Sequence, residues 1–127
     1  MHDPPFVLVL EDNLDHAELL LMALRERGFR AECSSDGSTS LSRVLRELPD
    51  LVLLDIGVPR INGALIAKAM RSDPRTSAIP IVFQSARPET EVKRDFAGYD
   101  AYFLKPFDLS KLLAAIASLT ARRPGVS

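Results

Sequence analysis

Apolar and polar positions alternate along this chain in two rhythms. Short continuous apolar runs at Phe6 to Leu10, Leu51 to Leu54, Ile79 to Phe83 and Ala101 to Leu104 are separated by stretches where apolar residues recur every three or four positions. Such runs read as strands buried on both faces, and the wider spacing reads as amphipathic helix. In the first helical stretch, Asn13 to Gly28, residues Ala17, Leu20, Leu21 and Leu24 share a face, and Gly28 is a stop signal. Phe29 to Ser34 reads as a short strand. Asp36-Gly37-Ser38 then forms a capped turn into a helix over Thr39 to Leu48, with Leu41, Val44, Leu45 and Leu48 inward. A loop marked by Gly57, Pro59, Asn62 and Gly63 leads into Ala64 to Ser72, where Leu65, Ile66, Ala69 and Met70 face inward until Asp73-Pro74. Arg87 to Gly98 has only Val92, Phe96 and Ala97 to bury, which predicts a weakly packed, mobile helix. Asp108 to Ala121 is clearer, with Asp108 as cap and Leu109, Leu112, Leu113, Ile116 and Leu119 or Thr120 as the inner stripe. All nine prolines fall at or outside these boundaries, so none contradicts the partition.

Five strands alternating with five helices predict a doubly wound α/β sandwich, flavodoxin-like, with a parallel sheet of order 2-1-3-4-5. At 127 residues and 46% hydrophobic content the chain supports one domain over 1–127, with a core of about 6–120 and a frayed tail at 122–127.

Charge narrows the partners. A formal net charge of -1 supplies no field that favours nucleic acid or an anionic membrane, so neither is expected. The single cysteine, Cys33, excludes an internal disulfide and reads as a buried packing residue in a reducing cytoplasm. Met1 to Pro5 lacks the pattern of a signal peptide, and Leu19 to Leu24 is too short to span a bilayer, so a soluble, unprocessed chain is expected.

The ends of the apolar runs carry the chemistry. They stop at Glu11-Asp12, Asp55, Gln84-Ser85 and Lys105-Pro106. Parallel strands deliver their carboxyl ends to one edge, where open α/β sheets bind ligands. Taken singly, Asp12, Asn13 or Ser85 would be a helix cap, Asp55 the start of a turn, and Lys105 a solvated charge. Independent caps and surface charges have no reason to gather at one end of four strands. Glu11, Asp12 and Asp55 would share one crevice, and two like charges about 4 Å apart repel by about 4 kcal/mol at an effective dielectric near 20. Such a cluster calls for a proton or a cation. An all-oxygen site with few protein ligands suits Mg2+, which is typically shared with a phosphate oxygen, and so points to a phosphorylated ligand or intermediate. A carboxylate attacking a phosphoryl group needs its charge stabilised, and Lys105 is placed to do so. His2 and His16 form no metal pair with a cysteine and are assigned no function.

From about Phe6 to Thr120 the chain resembles the receiver domains of two-component response regulators. The likeness rests on Leu10-Glu11-Asp12-Asn13, on Leu53-Leu54-Asp55-Ile56-Gly57-Val58-Pro59-Arg60-Ile61-Asn62-Gly63, on Ser85-Ala86, and on Gly98-Tyr99-Asp100-Ala101-Tyr102-Phe103-Leu104-Lys105-Pro106-Phe107. The resemblance implies Asp55 as phosphoacceptor, Asp12 as a direct Mg2+ ligand, Glu11 as a ligand through water and the Gly57 carbonyl as a further metal contact, with Mn2+ able to substitute. It implies that Lys105 pairs with the phosphoryl group, that Ser85 hydrogen-bonds it, that Tyr102 turns into the space Ser85 vacates, and that the Lys105-Pro106 peptide is cis. Glu11 stands where an aspartate is often found, a frequent variant that leaves the site chargeable. Gly57 cannot orient a hydrolytic water, and with Arg87 at the other tuning position the expectation is slow to moderate autodephosphorylation. Implied partners are a sensor histidine kinase or phosphotransfer protein upstream, and downstream a protein met through the 87–98 helix, the last strand and the last helix. Such a chain is a signalling phosphoacceptor, catalysing only its own phosphorylation and dephosphorylation. No output domain is expected after Thr120, and a stand-alone regulator and an excised receiver would look alike. Two rivals remain. One is a metal-dependent phosphohydrolase with an aspartyl-phosphate intermediate, which usually carries a second acid where Gly57 stands; the other is a receiver-like module that takes no phosphate.

Overall fold

The computed structural model of the chain describes residues 3–56 and 62–121. Among these, strands and helices alternate strictly: β1 (Phe6–Leu10), α1 (Leu14–Glu26), β2 (Arg30–Ser34), α2 (Gly37–Glu47), β3 (Leu51–Asp55), α3 (Gly63–Ser72), β4 (Ile81–Ser85), α4 (Glu89–Asp95), β5 (Ala101–Leu104) and α5 (Leu109–Ala121). The strands pair in parallel in the order β2-β1-β3-β4-β5, the flavodoxin-like arrangement expected from the sequence. The chain runs outward from β1 to β2, then returns past β1 to β3, so the switch point lies between β1 and β3.

Burial explains why three strands are continuous apolar runs rather than alternating ones. Every residue of β1, β3 and β4 is buried, because helices cover both faces of the sheet. On one face Val7, Val9, Leu51, Leu53 and Val82 pack with Leu20 and Leu24 of α1 and with Leu112, Leu113 and Ile116 of α5. On the other, Leu8, Leu10, Val52, Leu54 and Phe83 pack with Val44 of α2, Ile66, Ala67 and Met70 of α3, and Val92 of α4.

Glycine sets two helix ends. Gly28 takes φ +90°, its N–H donates to the Arg25 carbonyl and the Phe29 N–H donates to that of Leu24, the paired bonds of a Schellman stop that closes α1. At the start of α3, Gly63 lies so close to β3 that a Cβ there would sit 2.8 Å from Ile56 Cδ1. A side chain at that position would force the Ile56 side chain to move aside at the end of the strand that carries Asp55.

Several expectations are corrected. The helix expected over Arg87 to Gly98 is shorter, with Pro88 as N-cap, and ends where Phe96 turns to an extended conformation and lays its ring 5.7 Å from Phe83. Leu48 and Leu65, expected inward, are exposed: Leu48 is the left-handed cap of α2, and Leu65 lies on the outer side of α3. β4 starts later than the apolar run and takes in Gln84 and Ser85. Cys33 is only half-buried, because β2 is an edge strand; its thiol donates to the Glu11 carbonyl at 3.4 Å, and burial pushes its pKa up. The segment 122–127, expected as a tail, lies outside the described residues.

Candidate functional site

The β1–β3 register pairs Leu10 with Leu54, so the next residues, Glu11 and Asp55, meet at the switch point. Both are buried, at 1% and 3% exposure. The first turn of α1 is wound against them: Asn13 Oδ1 accepts the His16 N–H at 3.1 Å, Glu11 Oε2 accepts the Asn13 N–H at 3.2 Å, and His16 Nδ1 lies 2.6 Å from Glu11 Oε1. From the far side, directly after β5, Lys105 Nζ donates to Asp55 Oδ2 at 2.5 Å. The Lys105-Pro106 peptide is cis, as expected. A pocket of about 430 Å³ opens beside them, lined by His16, Leu19 and Leu20 of α1 and by Lys105, Phe107 and Leu109.

Burial, and next the Asp55 carboxylate beside it, hold the Glu11 pKa above its ordinary value; the bonds from Asn13 and His16 offset this only in part. Between the ordinary value of 4.5 and the raised folded value, the metal-free fold holds more of the Glu11 proton than the unfolded chain does. That contribution to stability is full below the ordinary value of 4.5 and is lost as pH rises through the folded value. At neutral pH the strain is relieved by a cation or by removing the charge. Glu11→Gln is accordingly expected to raise the denaturation midpoint of the metal-free protein at pH 7, while Mg2+ affinity falls by about 10- to 100-fold. Urea melts and metal titration read both.

The donor set fits a divalent cation. Ligand atoms of Glu11, His16 and Asp55 all lie within 4.8 Å of one another, and the two carboxylates are desolvated. Asp12 adjoins this group in sequence but its carboxylate is not part of it. Gly57, expected to offer its carbonyl, lies outside the described residues. Ser85 is fully buried one residue beyond Gln84, the register partner of Asp55, and its Oγ accepts the Arg87 N–H at 2.9 Å. The Tyr102 hydroxyl donates to the Arg87 carbonyl at 2.6 Å, so one residue is held from two sides.

One residue escapes the sequence reading. His16 has no cysteine partner to suggest a metal pair; the readable signal is its place three residues after the cap Asn13, where a side chain reaches back past the helix start. Gln84 is wholly buried and, among the described residues, neither polar atom of its side chain has a partner.

Fold and site together define a doubly wound α/β domain with an acidic, cation-competent crevice at its switch point. Within that class the chain belongs to the response regulator receiver domain family, whose profile matches residues 7–117. It is 36% identical over 118 residues to the DNA-binding response regulator MtrA of Mycolicibacterium paratuberculosis, covering 91% of this chain and 51% of that protein. It is 32% identical to the response regulator ArlR of Staphylococcus saprophyticus, covering 93% of this chain and 53% of the other. The chain thus spans about half the length of the curated relatives it matches. Among solved structures it resembles a putative response regulator from Chloroflexus aurantiacus, at TM-score 0.85 and 29% identity over 94% of this chain and 99% of that one. It also resembles TrrA of Thermotoga maritima, solved in complex with Mg(2+)-BeF, at TM-score 0.80 and 26% identity over 91% and 98% of the two chains.

Proposed function

We propose that the chain is a phosphorylation-dependent switch that takes a phosphoryl group onto Asp55 from a phosphohistidine of a sensor kinase or phosphotransfer protein. The observation that carries this is the 2.5 Å bond from Lys105 Nζ to a buried Asp55 carboxylate beside Glu11. An Asp55 oxygen attacks phosphorus and an O–P bond forms. The P–N bond to the donor imidazole breaks, the ring nitrogen keeping the electron pair. Lys105 then pairs with the phosphoryl oxygens instead of the free carboxylate. Glu11, Asp12, Asp55 and the Gly57 carbonyl are the proposed holders of Mg2+, which would neutralise charge on the transferring oxygens. The fit of the desolvated carboxylates supports this, as does a relative solved with Mg(2+)-BeF.

The phosphoryl group adds about -1.5 to -2 charge and three acceptors. Charge-assisted bonds from Lys105 and Ser85 contribute about 1.5 to 3 kcal/mol each. Moving a two-state element from 1:99 to 99:1 needs about 5.5 kcal/mol, so a few such bonds suffice. The element is at hand. When the Ser85 hydroxyl turns to the phosphoryl group it releases the Arg87 N–H, and Tyr102, bonded to the Arg87 carbonyl, follows inward. The change reaches α4, β5 and α5, the proposed surface for a downstream protein. α4 buries only Val92, which leaves little packing to oppose the shift.

Slow to moderate autodephosphorylation belongs to this proposal, with Gly57 and Arg87 as the tuning positions. MtrA is described as DNA-binding, whereas the output proposed for the segment matched here is protein contact. The reducing cytoplasm is the compartment that suits a chain with one cysteine. No helix among the described residues is long and apolar enough to cross a membrane.

Incubation with acetyl phosphate and Mg2+ should give a single phosphoryl adduct by intact-protein mass. Absence of an adduct would favour a module that takes no phosphate, and repeated turnover of unrelated phosphoesters would favour the phosphohydrolase.

A further inference from the structure

The receiver reading above leaves one side chain at the cation crevice unused. His16 lines it from the first turn of α1, with Nδ1 2.6 Å from Glu11 Oε1 and a ring nitrogen within 4.8 Å of an Asp55 carboxylate oxygen. We propose that His16 is a direct nitrogen ligand when the crevice holds a first-row transition cation, so that this site discriminates such ions from Mg2+ more strongly than its carboxylates alone would. The inference rests on the site's binding a divalent cation and deepens that reading.

Geometry comes first. Donor atoms sharing one ion at about 2.1 Å lie about 3 Å apart when adjacent and about 4.2 Å apart when opposite. The Glu11 and His16 atoms need only open by a few tenths of an ångström, and the widest separation in the group needs to close by less than about 1 Å. The imidazole is also held in place. Asn13 caps its backbone, Glu11 holds its Nδ1, and its side chain is only 26% exposed.

Ligand chemistry then sets the preference. Mg2+ takes oxygen donors and keeps its waters, so with Mg2+ bound His16 stays hydrogen-bonded to Glu11 and adds little. Co2+ and Zn2+ accept imidazole nitrogen readily and Mn2+ accepts it less strongly, so a mixed set of two carboxylates and one imidazole suits them better than it suits Mg2+.

The test uses the intact chain with Mn2+, Co2+ and Mg2+ as probes. Pulsed electron paramagnetic resonance of the Mn2+-loaded protein should show hyperfine coupling to one directly bound 14N. Calorimetric titration of His16→Leu should show Co2+ affinity reduced by at least about tenfold, with Mg2+ affinity changed by less than about threefold. Binding of Mn2+ without 14N coupling, or an equal loss for Co2+ and Mg2+, would overturn the role of His16 and leave the receiver reading standing. Failure of every cation to bind would overturn both. The resonance measurement on the unmodified chain needs no variant to fold.

Discussion

Asp55→Asn is expected to abolish the phosphoryl adduct formed with acetyl phosphate and Mg2+, with the fold retained. The substitution exchanges one oxygen for a nitrogen at a buried strand end, so the volume is kept while the nucleophile is lost, and with it the charge that pairs with Lys105 and helps hold the cation. It also removes a carboxylate that helps hold the buried Glu11 above its ordinary pKa. The metal-free variant should therefore melt no lower than the parent by circular dichroism. An adduct of undiminished yield in Asp55→Asn would mean that another group accepts the phosphate.

Lys105→Met is expected to slow phosphorylation by about 100-fold, in line with the loss of one preorganised donor to a developing charge. Lys105 carries a positive charge and lies outside the donor group of Glu11, His16 and Asp55, so its removal should spare cation binding. Methionine keeps much of the stem that lines the pocket beside Phe107 and confines the change to the charge. Stopped measurements of adduct formation, with Mg2+ titrated in parallel, separate the two effects. A rate within about threefold of the parent would show that Lys105 is a bystander, well short of the loss expected for such a donor.

Much of the fold was legible because its signals are local. The apolar runs of β1, β3 and β4 are continuous for the reason the structure displays, burial on both faces. Gly28 stopped α1 through backbone geometry that glycine adopts cheaply. What the sequence hid depends on tertiary packing. The early end of α4 follows from Phe96 turning onto Phe83, and the exposure of Leu48 and Leu65 from how α2 and α3 sit on the sheet. The strap made by Arg71, which bonds the carbonyls of Ile79 and Gly98 and the carboxylate of Asp100, spans residues too distant for any motif.

The candidate site was legible for the same reason as the strands. Parallel pairing converts four strand ends into one edge, so Glu11, Asp55 and Lys105 could be grouped before any distance was known. The approach of His16 to Glu11 could not be grouped that way, because it belongs to a helix turn rather than a strand end. The hold of Ser85 and Tyr102 on the two sides of Arg87 likewise needs side-chain positions.

The most direct test of a switch centred on Asp55 is to locate the phosphoryl group. An acyl phosphate is reduced by borohydride to the alcohol, which converts the carrying aspartate to homoserine and marks it in a peptide digest. The expected result is homoserine at position 55 and nowhere else, dependent on both the phosphodonor and Mg2+. Homoserine at position 12, or phosphate that survives reduction on a serine or histidine, would contradict it.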